Sequence, residues 1–135
     1  MRFVALAAMA LLAPPVPFVS GAAAAQDGDI VVRGDTARKE IERILQADNL
    51  DTSRLGAREV AEAMGRIERG RAPDDFWAAY RAHVAAWRRL AESSGSLERA
   101  LAEQAIEASF DEVERIARRY RARLPTPPWK IVPTV

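Results

Sequence analysis

The sequence contains no cysteine and a single histidine, His83. Without cysteine the chain can form no disulfide, no thiolate nucleophile and no lipid-modified cysteine anchor. Protein metal sites generally take three or four ligands, so one histidine in a chain without cysteine does not suggest a metal centre. No Gly-x-Ser-x-Gly turn supports a Ser-His-Asp triad. We therefore predict no enzyme activity, no metal and no cofactor.

The sequence also has no run of alternating apolar and polar residues long enough for a β-strand, and it has no internal repeat. The 135 residues, 49% apolar and 29% charged, allow one globular domain. Apolar residues recur instead at helical spacing. The predicted fold is all-α, a small bundle of four to five helices after a signal peptide, with an extended N-terminal leader and a Pro-rich C-terminal tail.

The first 25 residues have the three parts of a secretory signal peptide. Arg2 supplies a positive charge, residues 3–13 form an apolar run, and Ala23 and Ala25 fill the small-residue positions before a cleavage site. We expect export by the general secretory route to the periplasm and removal of residues 1–25. The alternative is an uncleaved inner-membrane anchor, because the uncharged stretch is long enough to span a bilayer.

The mature chain is expected to carry no net charge. Removal of Arg2 with the signal peptide reduces the 20 basic side chains to 19, which face 19 acidic ones. A neutral protein has no long-range field that attracts nucleic acid or an anionic membrane. We therefore expect no nucleic-acid partner and, after cleavage, no stable membrane span.

The mature chain divides into three segments. Residues 26–34 are predicted to be an extended leader, residues 35–124 a helical domain, and residues 125–135 an extended tail whose four prolines forbid a helix. Asp35 is a good N-cap and is predicted to begin the first helix. A second helix is predicted from about Leu55 to Arg69, before Gly70.

The third helix has the clearest pattern in the sequence. It is predicted to begin after Pro73, and its apolar stripe consists of Phe76, Tyr80, His83, Val84, Trp87, Leu90 and Ala91. A stripe of this kind is typical of a central core helix, and it could also line a pocket for an apolar ligand. Trp77 lies about 100° around the helix from Phe76, so it is a candidate contact outside the core.

The region after Gly95 is predicted to form two helices. Ser109 followed three residues later by Glu112 has the form of a capping box, which favours a helix break at Ser109. One continuous helix is the alternative. Five arginines near its end suit a helix C-terminus, with Glu112 and Glu114 as partners for the charges.

Two stretches, residues 75–87 and residues 110–117, resemble small exported helical proteins of α-proteobacteria. They read Asp-Phe-Trp-Ala-Ala-Tyr-Arg-Ala-His-Val-Ala-Ala-Trp and Phe-Asp-Glu-Val-Glu-Arg-Ile-Ala. The resemblance implies bacterial export and a helical domain. It implies no site residue, because the shared motifs look like packing motifs.

Two functions follow as hypotheses from these features. The first is a protein-interaction module of the bacterial cell envelope, which would contact its partner through the leader, through Trp77 or through the tail with Trp129. The second is a periplasmic carrier or sensor of a small apolar ligand. This alternative predicts a cavity beside Tyr80, His83 and Trp87.

Overall fold

Four helices make up the part of the chain that the structure describes. The structure is a computed structural model that describes residues 26–128 and, among these, the side chains from residue 32 onward. In this range there is no strand, and the helices are α1 (Gln26–Ala47), α2 (Ala57–Gly65), α3 (Asp74–Glu92) and α4 (Ser96–Arg119). The predicted all-helical bundle is confirmed. The predicted signal peptide and the tail from Trp129 lie outside the described residues.

All four helices contribute to one hydrophobic core. The central helix is α3, which approaches both α2 and α4 closely. The helix side chains that form this core cluster are Ile41, Ile44 and Leu45 of α1, Val60 and Met64 of α2, Phe76, Tyr80 and Val84 of α3, and Val113, Ile116 and Ala117 of α4. These positions recur every three or four residues, so each helix turns one apolar face inward.

The first helix begins earlier than the sequence predicts. It starts at Gln26, so residues 26–34 belong to α1 and do not form the extended leader that was expected. Asp35 therefore lies inside the helix and does not cap it. Its carboxylate pairs with Arg38 and, at 3.0 Å, with Lys39, one turn further along. Such pairs stabilise a helix interior.

The second helix is shorter than predicted at both ends. The Gly56 N–H donates to the Glu59 carboxylate at 2.9 Å, which fixes the start of α2. The helix ends at Gly65, and the loop that follows contains Gly70 at φ +56°. A side chain at Gly70 would collide with the Glu40 carboxylate, which accepts the Arg71 N–H at 3.2 Å. Both the backbone angle and the nearby carboxylate therefore favour glycine at this turn.

The predicted break between helices four and five is wrong, because residues 96–119 form the single helix α4. The Ser109 hydroxyl does not cap a new helix. It donates to the Ile106 carbonyl at 3.0 Å, within the same helix. Serine hydroxyls often bond to a carbonyl one turn back, and the helix then continues.

The two halves of α4 differ in burial. The second half contributes Val113, Ile116 and Ala117 to the core. In the first half, Leu97 is 72% exposed and Leu101 is 57% exposed. Ala102 is the one buried residue between Ser96 and Gln104. The first half thus contacts the rest of the bundle with little apolar surface.

The chain turns back onto the bundle after α4. Arg121 adopts a left-handed conformation at φ 57°, and the Ala122 N–H donates to the Ala117 carbonyl at 3.0 Å, as in a Schellman motif. Leu124 then packs against the core. The Asn49 side-chain amide donates to the Thr126 carbonyl at 2.9 Å. The tail as far as Pro128 has no α-helix, and its first residues form a wall beside the end of α1.

Candidate functional site

A cavity of about 320 Å³ lies between α3, the middle of α4 and the first residues of the tail. It also reaches the end of α1, the loop that follows it, and α2. Its apolar lining residues are Leu45, Leu50, Val60, Met64, Trp87, Ile106, Phe110, Leu124, Pro125 and Pro127. The polar ones are Asp48, Asn49, Thr52, His83, Glu107 and Glu114. The cavity is therefore a mainly apolar space with a few polar groups, the usual composition of a small-molecule site.

His83 forms part of one wall and is only 4% exposed. The Trp87 indole N–H donates to His83 Nε2 at 3.3 Å, so Nδ1 carries the proton of the neutral ring. Nδ1 lies 2.8 Å from the Ser109 hydroxyl, which itself donates to the Ile106 carbonyl. Burial lowers the pKa of His83 to about 4. His83 is thus a neutral side chain with both ring nitrogens engaged, and it positions Trp87 and α4.

Asp48 places a carboxyl group at another wall of the cavity. It is the first residue after the end of α1. The Tyr80 hydroxyl donates to Asp48 Oδ1 at 3.2 Å. Burial raises the pKa of Asp48 to about 7, and the Tyr80 hydrogen bond only partly opposes this effect. Burial and the neighbouring carboxylate also raise the pKa of Tyr80. The carboxyl group of Asp48 therefore changes charge near neutral pH, inside an apolar space.

The structure brings together two of the five residues singled out in the sequence. His83 and Trp87 line the cavity, and Tyr80 contacts it indirectly through Asp48. Trp77 lies elsewhere: its ring stacks on the Tyr80 ring with centroids 5.6 Å apart. Trp129 lies outside the described residues.

Three residues of the site were missed by the sequence analysis. The sequence pattern indicates no role for Asp48, and it predicts Ser109 to be a helix cap. Phe110 lies beside His83, with ring centroids 5.3 Å apart, and remains 37% exposed at the cavity. Its position four residues before Glu114, and four after Ile106, was a usable signal, because all three share one helix face if α4 is continuous.

Two of the arginines at the end of α4 have the carboxylate partners that the sequence predicts. Arg115 pairs with Glu112 at 2.6 Å and Arg118 with Glu114 at 2.7 Å. Arg119 pairs with Asp75, at the start of α3. The paired arginines lie on the solvent side and do not line the cavity. Exposed pairs of this kind contribute little to stability.

Residues 26–128 contain neither a metal-binding cluster nor a membrane-spanning helix. No three histidine or carboxylate side chains in this range are grouped so that they could hold a metal ion. Of the four helices, none combines the length and the apolar character needed to cross a bilayer.

Comparison with protein-family models, curated proteins and solved structures found no match to the chain. Neither a family nor a likeness of fold therefore indicates an enzyme.

Proposed function

We infer that the protein binds a small apolar ligand in the cavity beside α3, as a carrier or a sensor. The observation that carries this proposal is the cavity itself, which has about 320 Å³ and a mainly apolar lining. Sites for small molecules start at about 300 Å³. The cavity opens to solvent beside Glu107 and Phe110, so a small molecule can enter it.

The other hypothesis, a protein-interaction module of the cell envelope, has less support in the described residues. Trp77 is half-buried and stacks on Tyr80, so it is not a free contact. Residues 26–34 belong to α1 and do not form an extended segment. Of the features that suggested a partner, only the end of the tail is left. The geometry favours the ligand.

We expect the chain to be exported to the periplasm and cleaved after Ala25, as Arg2, the apolar run and the Ala-x-Ala motif indicate. N-terminal sequencing of the protein from the periplasm of a Gram-negative host should begin at Gln26. Ala25→Arg should block cleavage, because the site needs a small residue there. Unprocessed protein in the inner membrane, with Ala25 intact, would instead support the uncleaved anchor.

Removal of the Phe110 side chain should weaken binding of an apolar probe. Phe110 lines the cavity but is already partly exposed, so Phe110→Ala leaves the core intact. We expect 2-naphthylmethanol to bind the wild type with a Kd of about 0.1 mM, and the variant about tenfold more weakly. Isothermal titration calorimetry of the mature protein measures both values.

Leu97→Ala provides the matched control. It removes an exposed apolar side chain from the same helix, away from the cavity, and should leave the Kd unchanged. If both variants bind like the wild type, or if the wild type does not bind the probe, the cavity is not the ligand site. Native mass spectrometry of the protein from its own cells would then show whether any small molecule accompanies it.

A further inference from the structure

The charged groups of the cavity are all of one sign. Asp48, Glu107 and Glu114 line it, and no lysine or arginine does within the described part of the chain. Glu114 is paired with Arg118, which does not line the cavity, and Glu107 is exposed at the rim. His83 adds no positive charge, because its ring is neutral and both nitrogens have partners.

Asp48 has fewer hydrogen-bond and charge partners than a carboxylate in an apolar cavity needs. Its side chain has one hydrogen bond, from the Tyr80 hydroxyl, and no ion pair among the described residues. By contrast, Asp35, Asp51 and Asp75 each pair with an arginine. A charged carboxylate in an apolar space is costly unless a cation or several donors satisfy it. Asp48 is partly exposed at the cavity, so a ligand there can reach its carboxylate, and no cation of the described residues pairs with it.

We propose that the ligand is an apolar molecule that carries a protonated amine, and that the amine pairs with Asp48 while the apolar part fills the space beside Trp87 and Phe110. This inference rests on the proposed function, since it names the class of ligand for the same cavity. An ammonium group supplies the charge and the hydrogen-bond donors that the Asp48 carboxylate lacks. The rim carboxylate of Glu107 favours the same sign of charge.

Three probes of one shape test the proposal: 2-naphthylmethylamine, which is cationic, 2-naphthylmethanol, which is neutral, and 2-naphthoate, which is anionic. At pH 8, calorimetry on the mature protein should show the amine binding at least tenfold more tightly than the alcohol, and the anion more weakly than both. The preference for the amine should decrease below pH 7, as Asp48 becomes protonated. Tyr80, His83, Glu107 and Glu114 are the other titratable groups at the cavity.

The Asp48→Asn variant removes the charge of the carboxylate but keeps the shape of the cavity. The variant should bind the amine and the alcohol within about twofold of each other, and bind the alcohol as the wild type does. Asp111→Asn, which removes an exposed carboxylate from α4 outside the cavity, should keep the full preference.

The outcomes distinguish the two proposals. If the alcohol binds as tightly as the amine, the ligand is not an amine, while an apolar ligand is still supported. If neither binds, the proposed function fails and this inference fails with it. If the amine is preferred equally by the wild type and by Asp48→Asn, Asp48 is not its partner and the proposal is overturned.

Discussion

Replacement of Asp48 by asparagine is expected to raise the free energy of unfolding at pH 8 by about 3 kcal/mol. The shift of the carboxyl pKa from 3.8 to about 7 corresponds to a cost of about 4 kcal/mol for the charged form, and the partial exposure of Asp48 reduces it. Asparagine has the same shape without the charge, and its side-chain oxygen can still accept the Tyr80 hydroxyl. Urea denaturation at pH 8 measures the difference.

The matched variant Asp111→Asn should change the free energy of unfolding by less than about 0.5 kcal/mol, because this side chain is exposed. An Asp48→Asn protein that is no more stable than the wild type would contradict the expected cost. A gain in stability together with a loss of amine binding would show that Asp48 is kept for the ligand, since active and binding sites often cost stability.

Replacement of His83 by glutamine is expected to make the protein more stable on acidification, whereas Asp48→Asn is expected to make it less stable. The folded pKa of His83 lies below its ordinary 6.5, so the unfolded chain takes up the proton first and stability is lost as the pH falls from 6.5 towards 4. Asp48 acts in the opposite sense. Its folded pKa is raised, so its contribution is greatest at low pH and is lost as the pH rises through about 7.

Between pH 7 and pH 5 each group changes the free energy of unfolding by about 2 kcal/mol, with opposite signs. The wild type should therefore be nearly flat over this range. On acidification from pH 7 to pH 5, Asp48→Asn should lose about 2 kcal/mol and His83→Gln should gain about 2 kcal/mol.

The double variant is the control, and it should again be flat from pH 7 to pH 5. Tyr80, Glu107 and Glu114 remain in every variant, so the comparison isolates the two altered groups. His83→Gln also weakens the bonds to Trp87 and Ser109, which should lower its stability at pH 7 by about 1–3 kcal/mol. Equal slopes in the two single variants would show that burial does not shift these pKa values as described.

The third helix could be predicted in detail because its signals are local. Pro73 is the N-cap, and the acidic first turn and a stripe repeated over several turns lie within the helix itself. The break at Ser109 was predicted wrongly because its deciding signal is not local. A capping box and a back-bonding serine contain the same residues, and the choice depends on His83, a partner on another helix. Asp35 was likewise interpreted as a cap although it forms ion pairs within α1.

The site could be predicted only in part. His83 and Trp87 were identified because both belong to the stripe of α3, which is visible in the sequence. The role of Asp48 was not, because its burial comes from the return of the chain after α4. That return places Leu124 and Pro125 at the same cavity as the end of α1, far away in the sequence. The charge, polarity and spacing of residues in the sequence do not predict such a long-range contact. A residue at a helix end normally faces water.

The uneven burial of α4 has a consequence for how the molecule opens. Backbone amides exchange their hydrogens with solvent through local unfolding, whose free energy depends on the apolar surface that is released. Unfolding of the half with Leu97 and Leu101 exposes little buried apolar surface. Unfolding of the half with Val113 and Ile116 exposes the core. Because no break separates the halves, α4 should fray progressively from Ser96, and amide protection should rise along a single helix towards its C-terminal end.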